Sequence, residues 1–256
     1  MARLQIEQIS VLKDNYTYLL HDPASGATAV VDPAEADPVL DRLRLRGWRL
    51  SHILNTHHHA DHVGGNLQLR QATGAKVFAS SNDAGRIPGI DESLRDGQSL
   101  QLGTQAGQVL EVPGHTLGHI AFWFADSEAI FVGDTLFMLG CGRLFEGSAA
   151  QMWASLQKIS ALPPATLVYC AHEYTESNAR FAATLETDNQ ALAARRAEVS
   201  DLREKGLPTV PARLEVECAT NPFLRAALPS LKRAVAMTEA DPAAVFAEIR
   251  RRKDVF

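Results

Sequence analysis

The chain has 256 residues, 46% hydrophobic and 21% charged, enough for one large globular domain or two smaller ones. Its 25 basic and 30 acidic residues give a formal charge of −5, which argues against a nucleic-acid binder that depends on phosphate contacts. The sequence has neither an apolar run long enough to span a bilayer nor the pattern of a signal peptide at its start. The three cysteines form no C-x-x-C pair, so we expect no thiolate metal site and a cytoplasmic location.

Short apolar runs in the first two thirds of the chain predict strands, and segments with helical spacing separate some of them. The predicted strands contain the runs ATAVVDPA, LSHILNT, KVFAS, QVLEVPG, HIAFWFA, AIFVGDT and TLVYCAH. The first predicted helix has Asp37 as N-cap, Pro38 at its first position and Gly47 as its stop, and the second ends at Gly74. Strands that alternate with helices indicate a layered α/β fold.

Helical patterns dominate after residue 174. Thr175 is predicted to cap one helix, a capping box of Thr187 and Gln190 the next, and Asp241 a third. Residues 207–225 are expected to form a loop-rich connection. We therefore predict an α/β domain over residues 1–173 and a smaller all-helical domain over residues 174–256.

The segment NTHHHADHVGGN, residues 55–66, concentrates histidines directly after a predicted strand. Alternate side chains of an extended segment share a side, so His57 and His59 point together and His58 points away. A turn or helix start would swing Asp61 and His62 towards the same centre, while the two glycines let the backbone pack closely behind.

Further candidate ligands follow three other predicted strands: His115, Asp134 and His172. The ends of strands at one edge of an α/β sheet form its usual binding crevice. A lone histidine is more often a core residue, but the H-x-H-x-D-H spacing together with these three residues predicts a metal site. Imidazoles and carboxylates without thiolates leave zinc, iron and manganese open.

Several motifs together give the chain a family resemblance: THHHADH, GHTLGH, GDTLF and AHEYT resemble the metallo-β-lactamase superfamily, and GCGRLFEG, NPFLR and the tail RRRKDVF resemble glyoxalase II, the hydroxyacylglutathione hydrolase family. The resemblance implies an αβ/βα sandwich with a binuclear centre and the helical C-terminal domain. It implies one ligand set of His57, His59 and His115, another of Asp61, His62 and His172, and Asp134 as the bridging carboxylate.

The resemblance also implies a glutathione site that involves Arg143, Phe145, Tyr174, Arg250 and Lys253. Phe145 stands where some members have a tyrosine, which removes one hydroxyl. Arg250 and Lys253 share a helical face, although basic residues also favour a helix C-terminus for electrostatic reasons.

The activity that the resemblance implies is hydrolysis of S-D-lactoylglutathione, and of related S-2-hydroxyacylglutathiones, to glutathione and D-lactate. A hydroxide bridging two divalent ions, zinc above all, would attack the thioester, with Asp61 and Asp134 as catalytic carboxylates. The expected partner is this small molecule alone, with neither nucleic acid nor membrane, and the chain is expected to be a monomer. Two alternatives stay open: an iron-dependent glutathione persulfide dioxygenase, and a non-catalytic metal- or glutathione-binding protein.

Overall fold

The computed structural model describes residues 3–256. Met1 and Ala2, with which the predicted first domain begins, lie outside the described residues. The strands are β1 Gln5–Val11, β2 Asn15–His21, β3 Ala27–Val31, β4 Arg49–Leu54, β5 Lys76–Ser80, β6 Ile90–Leu94, β7 Ser99–Leu102, β8 Gln105–Glu111, β9 Ile120–Phe124, β10 Ala129–Gly133, β11 Leu136–Phe137, β12 Gly140–Cys141, β13 Leu167–Cys170 and β14 Ala212–Arg213. The α-helices are α1 Asp37–Arg46, α2 Ala60–Val63, α3 Asn66–Thr73, α4 Ala149–Ser160, α5 Thr175–Leu185, α6 Gln190–Glu204, α7 Leu214–Thr220, α8 Pro229–Ala234 and α9 Pro242–Asp254.

The chain forms two compact units. The first runs through Glu111 and takes in Gly118–Gly133, and the second consists of Val112–Leu117 and Asp134–Phe256. The division predicted after residue 173 follows a different criterion, the change in composition along the chain, and stays a prediction.

The first unit contains a six-stranded sheet in the order β1-β2-β3-β4-β5-β6. Its first three strands are antiparallel, and β3 to β6 are parallel. Parallel neighbours need crossover connections, and α1 and α3 provide two of them. Val39 and Leu43 of α1 and Leu69 of α3 are buried in one core cluster with Ile53 and Val77 of the sheet.

A second set of strands, β7 to β10, pairs antiparallel in the same unit. The ring of Tyr18 in β2 lies 5.5 Å from that of Phe131 in β10, and Phe124 of β9 packs edge-on against Phe131 at 6.3 Å. The six-stranded sheet is thus covered by helices on one face and by β-strands on the other, which is the predicted layered α/β class.

The second unit contains the hairpin of β11 and β12, the antiparallel pair of β13 and β14, and α4 to α9. Phe181 of α5, Phe223 and Phe246 of α9 form an aromatic cluster, with ring centroids 6.1 Å and 5.9 Å apart in successive pairs. No helix within residues 3–256 is long and apolar enough to cross a membrane.

The predicted strands are confirmed, but three of the predicted helix caps are wrong. Asp37 and Thr175 are the first residues of α1 and α5 rather than their caps. Asn189, not Thr187, caps α6 by accepting a hydrogen bond from the backbone of Leu192. Short polar side chains near the start of α6 compete for the cap position, and the backbone conformation selects Asn189, whereas Ala36 and Tyr174 precede α1 and α5 without a side-chain cap hydrogen bond. Asp241 caps α9 as predicted.

Two helices are not among the predicted elements. Helix α4 begins with a capping box formed by Ser148 and Gln151, a signal that its sequence displays. Helix α7 lies inside residues 207–225, the stretch expected to be loop-rich. Its seven residues are too few to show a clear helical period, so tertiary packing decides its conformation.

Candidate metal centre and adjoining cavity

The histidine segment in the first unit follows β4 and leads into the short helix α2. His59 has extended backbone angles, φ −61° and ψ 146°, and the helix begins at the next residue. This helix start brings Asp61 and His62 back towards the side of His57, as the sequence predicts. A methyl group on Gly64 would lie 2.5 Å from the carbonyl oxygen of Ala34, so the close backbone approach requires glycine there.

The four predicted ligands of this segment, His57, His59, Asp61 and His62, lie close together. The Nε2 atom of His57 lies 3.0 Å from Nδ1 of His59, and the rings of His57 and His62 are 4.0 Å apart. Asp61 Oδ2 lies 3.6 Å from His62 Nε2 and accepts a hydrogen bond of 2.9 Å from the side chain of Asn15. Such crowded imidazoles and carboxylates suit a divalent cation.

His58 turns away from this group, as the alternation of side chains predicts. Its Nδ1 atom lies 3.3 Å from a carboxylate oxygen of Asp83, and its Nε2 atom lies 3.3 Å from the guanidinium of Arg86. His119 is fully buried and stacks on His57 at 4.7 Å between ring centroids.

Sequence reasoning missed Asp32, which orients one of the predicted ligands. Its Oδ2 atom accepts hydrogen bonds from His62 Nδ1 at 3.1 Å and from the Thr56 hydroxyl at 2.7 Å, while Oδ1 accepts one from the Thr56 backbone at 2.8 Å. A proton held on Nδ1 leaves Nε2 as the ring's acceptor nitrogen, the form that binds a metal. Asp32 directly follows β3, so its place at a strand end was the signal available in the sequence.

In the second unit the carboxylate of Asp134 lies between two imidazoles. Asp134 Oδ2 is 3.4 Å from His115 Nε2, and Asp134 Oδ1 is 3.4 Å from His172 Nε2. All three side chains are buried. His115 donates from Nδ1 to the carbonyl of Arg143 at 2.9 Å, because a carbonyl can only accept, and this fixes the tautomer that turns Nε2 towards Asp134.

The donor sets in both units fit divalent metal ions. They consist of imidazole nitrogens and carboxylate oxygens, and the nearby thiols do not compete. Burial raises the pKa of the Cys141 thiol to about 11 and raises that of Cys170 further still, so neither is poised to ionise near neutral pH. Neutral imidazoles with carboxylates accept zinc, iron and manganese alike.

A cavity of about 540 Å³ lies in the second unit. It is lined by two of the predicted metal ligands and by the five residues predicted to bind substrate, which are His115, Asp134, Arg143, Phe145, Tyr174, Arg250 and Lys253. The Tyr174 ring stacks on that of His172 at 4.7 Å, and the exposed Phe145 ring lies 5.1 Å from His115. The cavity therefore joins possible metal ligands to a basic and aromatic wall.

The basic residues of this wall differ in their surroundings. Arg143 is exposed, whereas Arg250 is only 5% exposed and donates to the Cys141 carbonyl at 2.9 Å while pairing with Asp254 at 3.0 Å. Lys253 donates to Ser177, and its burial, followed by the charges of Arg250, Arg180 and Arg143, lowers its pKa to about 8. Crowded cations of this kind favour an anionic ligand.

Comparison with known proteins gives the class first. Residues 11–172 match the family model of the metallo-beta-lactamase superfamily. The crystal structure of ETHE1 from Myxococcus xanthus has the same fold, with a TM-score of 0.68, 24% identity, and coverage of 98% of this chain and 99% of that one. Another crystal structure, of a protein in a di-iron-bound form, is 25% identical with a TM-score of 0.63 and covers 85% of this chain and 100% of that one. Fold and histidine cluster together define a metallo-β-lactamase type of protein.

The C-terminal residues of the chain identify its family within this superfamily. Residues 173–256 match the family model described as the hydroxyacylglutathione hydrolase C-terminus. A hydroxyacylglutathione hydrolase of Methylococcus capsulatus is 60% identical over 253 residues, which are 99% of each chain. The chain belongs to the hydroxyacylglutathione hydrolase family of the metallo-β-lactamase superfamily.

Proposed function

We propose that this chain hydrolyses S-D-lactoylglutathione, and related S-2-hydroxyacylglutathiones, to glutathione and D-lactate, the second step of methylglyoxal detoxification. One observation carries the proposal: Asp134, flanked by two imidazoles, lines the same cavity as Arg143, Arg250 and Lys253. If these cations bound the carboxylates at one end of a glutathione thioester, the acyl carbon at its other end would lie near the proposed metal ligands His115 and Asp134. The full-length similarity to a hydroxyacylglutathione hydrolase supports the same substrate class.

The proposed ligand assignment follows the family likeness. His57, His59 and His115 would hold one divalent ion, and Asp61, His62 and His172 the other, with Asp134 serving both. Zinc is the proposed metal, with iron or manganese as alternatives, because each accepts imidazole and carboxylate ligands. The similar protein that was solved in a di-iron-bound form supports iron as one of these alternatives.

When bound, two divalent ions would supply Lewis acidity at the thioester carbonyl and would make water nucleophilic near neutral pH. Asp61, held by Asn15 at 2.9 Å, orients the attacking water and accepts its proton. The leaving group is the glutathione thiolate, which needs little protonation because a thiol has a pKa of about 8.5. The reaction therefore requires no separate general acid.

Arg143, Arg250 and Lys253 are proposed to bind the carboxylates of the glutathione moiety, and Phe145 and Tyr174 to pack against its backbone. Phe145 offers an aromatic surface without a hydroxyl. Arg250 is already engaged with Cys141 and Asp254, so Lys253 and the exposed Arg143 are the more available cations.

Two matched substrates test this proposal on purified protein of known metal content. S-D-lactoylglutathione should be hydrolysed with release of D-lactate, whereas the S-D-lactoyl thioester of N-acetylcysteamine, which has the same reacting bond without the carboxylates, should show a much higher KM. Equal kcat/KM for both thioesters would refute the glutathione site. Oxygen uptake with glutathione persulfide, without thioester hydrolysis, would favour the persulfide dioxygenase instead.

The division into a catalytic domain over residues 1–173 and a substrate-binding domain over residues 174–256 is part of the proposal, and the two family models, which meet between residues 172 and 173, support it. A cytoplasmic location is proposed because the cysteines are free thiols. The proposed partner is the small thioester alone, and a monomer is expected on size-exclusion chromatography with light scattering.

A further inference from the structure

The hairpin of β11 and β12 connects the proposed bridging ligand Asp134 to the cavity residue Arg143. Its strands pair Leu136 with Cys141 and Phe137 with Gly140. The tight turn between the two strands places Leu139 at φ +58°. This is a left-handed backbone conformation that residues other than glycine rarely adopt. Something outside the hairpin must hold this turn, and we refer to residues 134–143 as the ligand hairpin.

Three side chains from α5 and the α7 region bind the backbone of this turn. Glu217 Oε2 accepts a hydrogen bond of 2.8 Å from the Leu139 N–H. Asn221 Nδ2 lies 3.0 Å from the carbonyl oxygens of both Phe137 and Gly140. Asn178 Nδ2 donates to the Met138 carbonyl at 3.1 Å. We call Glu217, Asn221 and Asn178 the clamp.

The clamp is a buried polar network. Glu217 and Asn221 are fully buried, Asn178 is 5% exposed, and Asn221 Nδ2 also lies 3.0 Å from Glu217 Oε2. A buried donor or acceptor is costly when it loses its partner, so the clamp and the turn need each other. Burial also raises the pKa of Glu217. A glutamine side chain at this position would offer the same kind of accepting oxygen to the Leu139 N–H and to Asn221.

The hairpin transmits this constraint to two proposed metal ligands. The Gly142 N–H donates to the Thr135 carbonyl at 3.3 Å, and a methyl group on Gly142 would overlap the Asp134 carbonyl oxygen. The two ends of the hairpin are therefore in backbone contact. At the next residue the Arg143 carbonyl receives the hydrogen bond that orients His115.

The motif NPFLR, which carries part of the family resemblance, gains a role from these contacts. Asn221 is its first residue and belongs to the clamp. The ring of Phe223 lies under the guanidinium of Arg250 at 5.1 Å, and Arg250 donates to the Cys141 carbonyl of the hairpin. The motif thus holds the hairpin both at its turn and at its second strand.

We propose that Glu217 and Asn221 are positioning residues, which hold Asp134 and His115 in the geometry for metal binding by clamping the ligand hairpin. This inference rests on the proposed function, in which Asp134 and His115 bind metal. It assigns to α7 a task in the metal centre as well as in packing.

The test compares Glu217→Leu with Glu217→Gln. Leucine leaves the Leu139 N–H without an acceptor, whereas glutamine keeps an oxygen for both the Leu139 N–H and Asn221. Loss of a residue that supports metal ligands typically weakens metal affinity by about 10–100-fold. We expect that loss in Glu217→Leu, measured by competition with a chelator, and affinity near that of the wild type in Glu217→Gln. In the metal-free protein, hydrogen exchange of the Leu139 amide should accelerate only in Glu217→Leu.

Asp22→Leu is the matched control. Asp22 is also a fully buried carboxylate, and it accepts hydrogen bonds from the Thr104 N–H at 2.7 Å, the Thr104 hydroxyl at 2.9 Å and the Ser25 hydroxyl at 2.6 Å, all within the first unit. This variant should lose thermal stability and keep its metal affinity. If Glu217→Leu loses stability but binds metal as the wild type does, the proposal is overturned.

Should Glu217→Leu fail to fold, Asn178→Ala decides the matter, since it removes one hydrogen bond to the same turn. A smaller loss of metal affinity supports the clamp, and unchanged affinity with unchanged exchange of the Leu139 amide overturns it. A wild-type protein without metal or hydrolysis would refute the proposed function instead, and the exchange measurement would still test the clamp on its own.

Discussion

Replacing Asp32 by asparagine should weaken metal binding although Asp32 is not a proposed ligand. Its Oδ2 atom accepts hydrogen bonds from His62 Nδ1 and the Thr56 hydroxyl, and its Oδ1 atom accepts one from the Thr56 N–H. An amide can keep only one acceptor position. If its oxygen stays with the Thr56 N–H, its NH₂ group donates to His62 Nδ1 and moves the ring proton to Nε2. If it is reversed, two donors face each other in a buried place.

Either orientation has a cost that can be estimated. A protonated Nε2 cannot bind a metal, and loss of such an orienting partner typically weakens metal affinity by about 10–100-fold, which corresponds to about 1.4–2.7 kcal/mol. The reversed amide leaves a buried N–H unpaired at about 1–3 kcal/mol. The first orientation is favoured without metal because it pairs every donor, and metal binding then requires the reversed amide, so both figures describe a loss of affinity of similar size.

Chelator competition on the wild type, Asp32→Asn and Asp83→Asn measures this loss. Asp83 is a matched control, since it is also a buried carboxylate beside a histidine of the same segment, but that histidine is His58, which turns away from the proposed ligands. Asp83→Asn should keep its metal affinity. Wild-type affinity in Asp32→Asn, or equal losses in the two variants, would refute the reasoning.

Four further outcomes are expected. Asp134→Ala should lower metal content and nearly abolish hydrolysis while keeping the fold, because its oxygens each lie 3.4 Å from an imidazole; full activity with normal occupancy would remove it from the bridging role. His59→Ala should lose affinity for one ion and His58→Ala should not, and equal metal loss by elemental analysis would contradict this. Burial lowers the pKa of Lys253 to about 8, so kcat/KM should fall as pH rises through that value and the side chain loses its charge, while Lys253→Arg should flatten the profile; the same fall in both proteins would exclude Lys253 as its cause. Lys253→Ala should mainly raise KM, whereas adding Arg250→Ala should also lower the melting temperature, since Arg250 is buried against the hairpin; an unaltered KM in the double variant would argue against glutathione binding by this pair.

Local chemistry made much of this protein predictable from its sequence. Apolar runs of strand length fixed the positions of β3, β4, β5, β8, β9, β10 and β13, since their side chains must be buried whatever surrounds them. The opposite orientations of His57 and His58 follow from the alternation of side chains along an extended backbone. Helix α2 begins directly after His59, so that Asp61 and His62 turn back towards His57. Pro242 after Asp241 marked the start of α9 because both preferences act within one helical turn.

Tertiary structure decided what depends on residues far apart in the chain. Asn189 rather than Thr187 caps α6 because nearby short polar residues have similar cap preferences and the backbone selects among them, whereas Tyr174 precedes α5 without a side-chain cap hydrogen bond. Arg250, for which the sequence left a ligand-binding role and a helix-terminus role open, is buried against the hairpin, where the Cys141 carbonyl, 109 residues away, accepts its hydrogen bond. Asp32 acquires its role only when β3 and β4 pair in parallel and set it beside Thr56 and His62. In the sequence, Glu217 is an ordinary residue of a helix. The fold buries its carboxyl group against a turn 78 residues earlier in the chain, where it accepts a hydrogen bond from the Leu139 N–H.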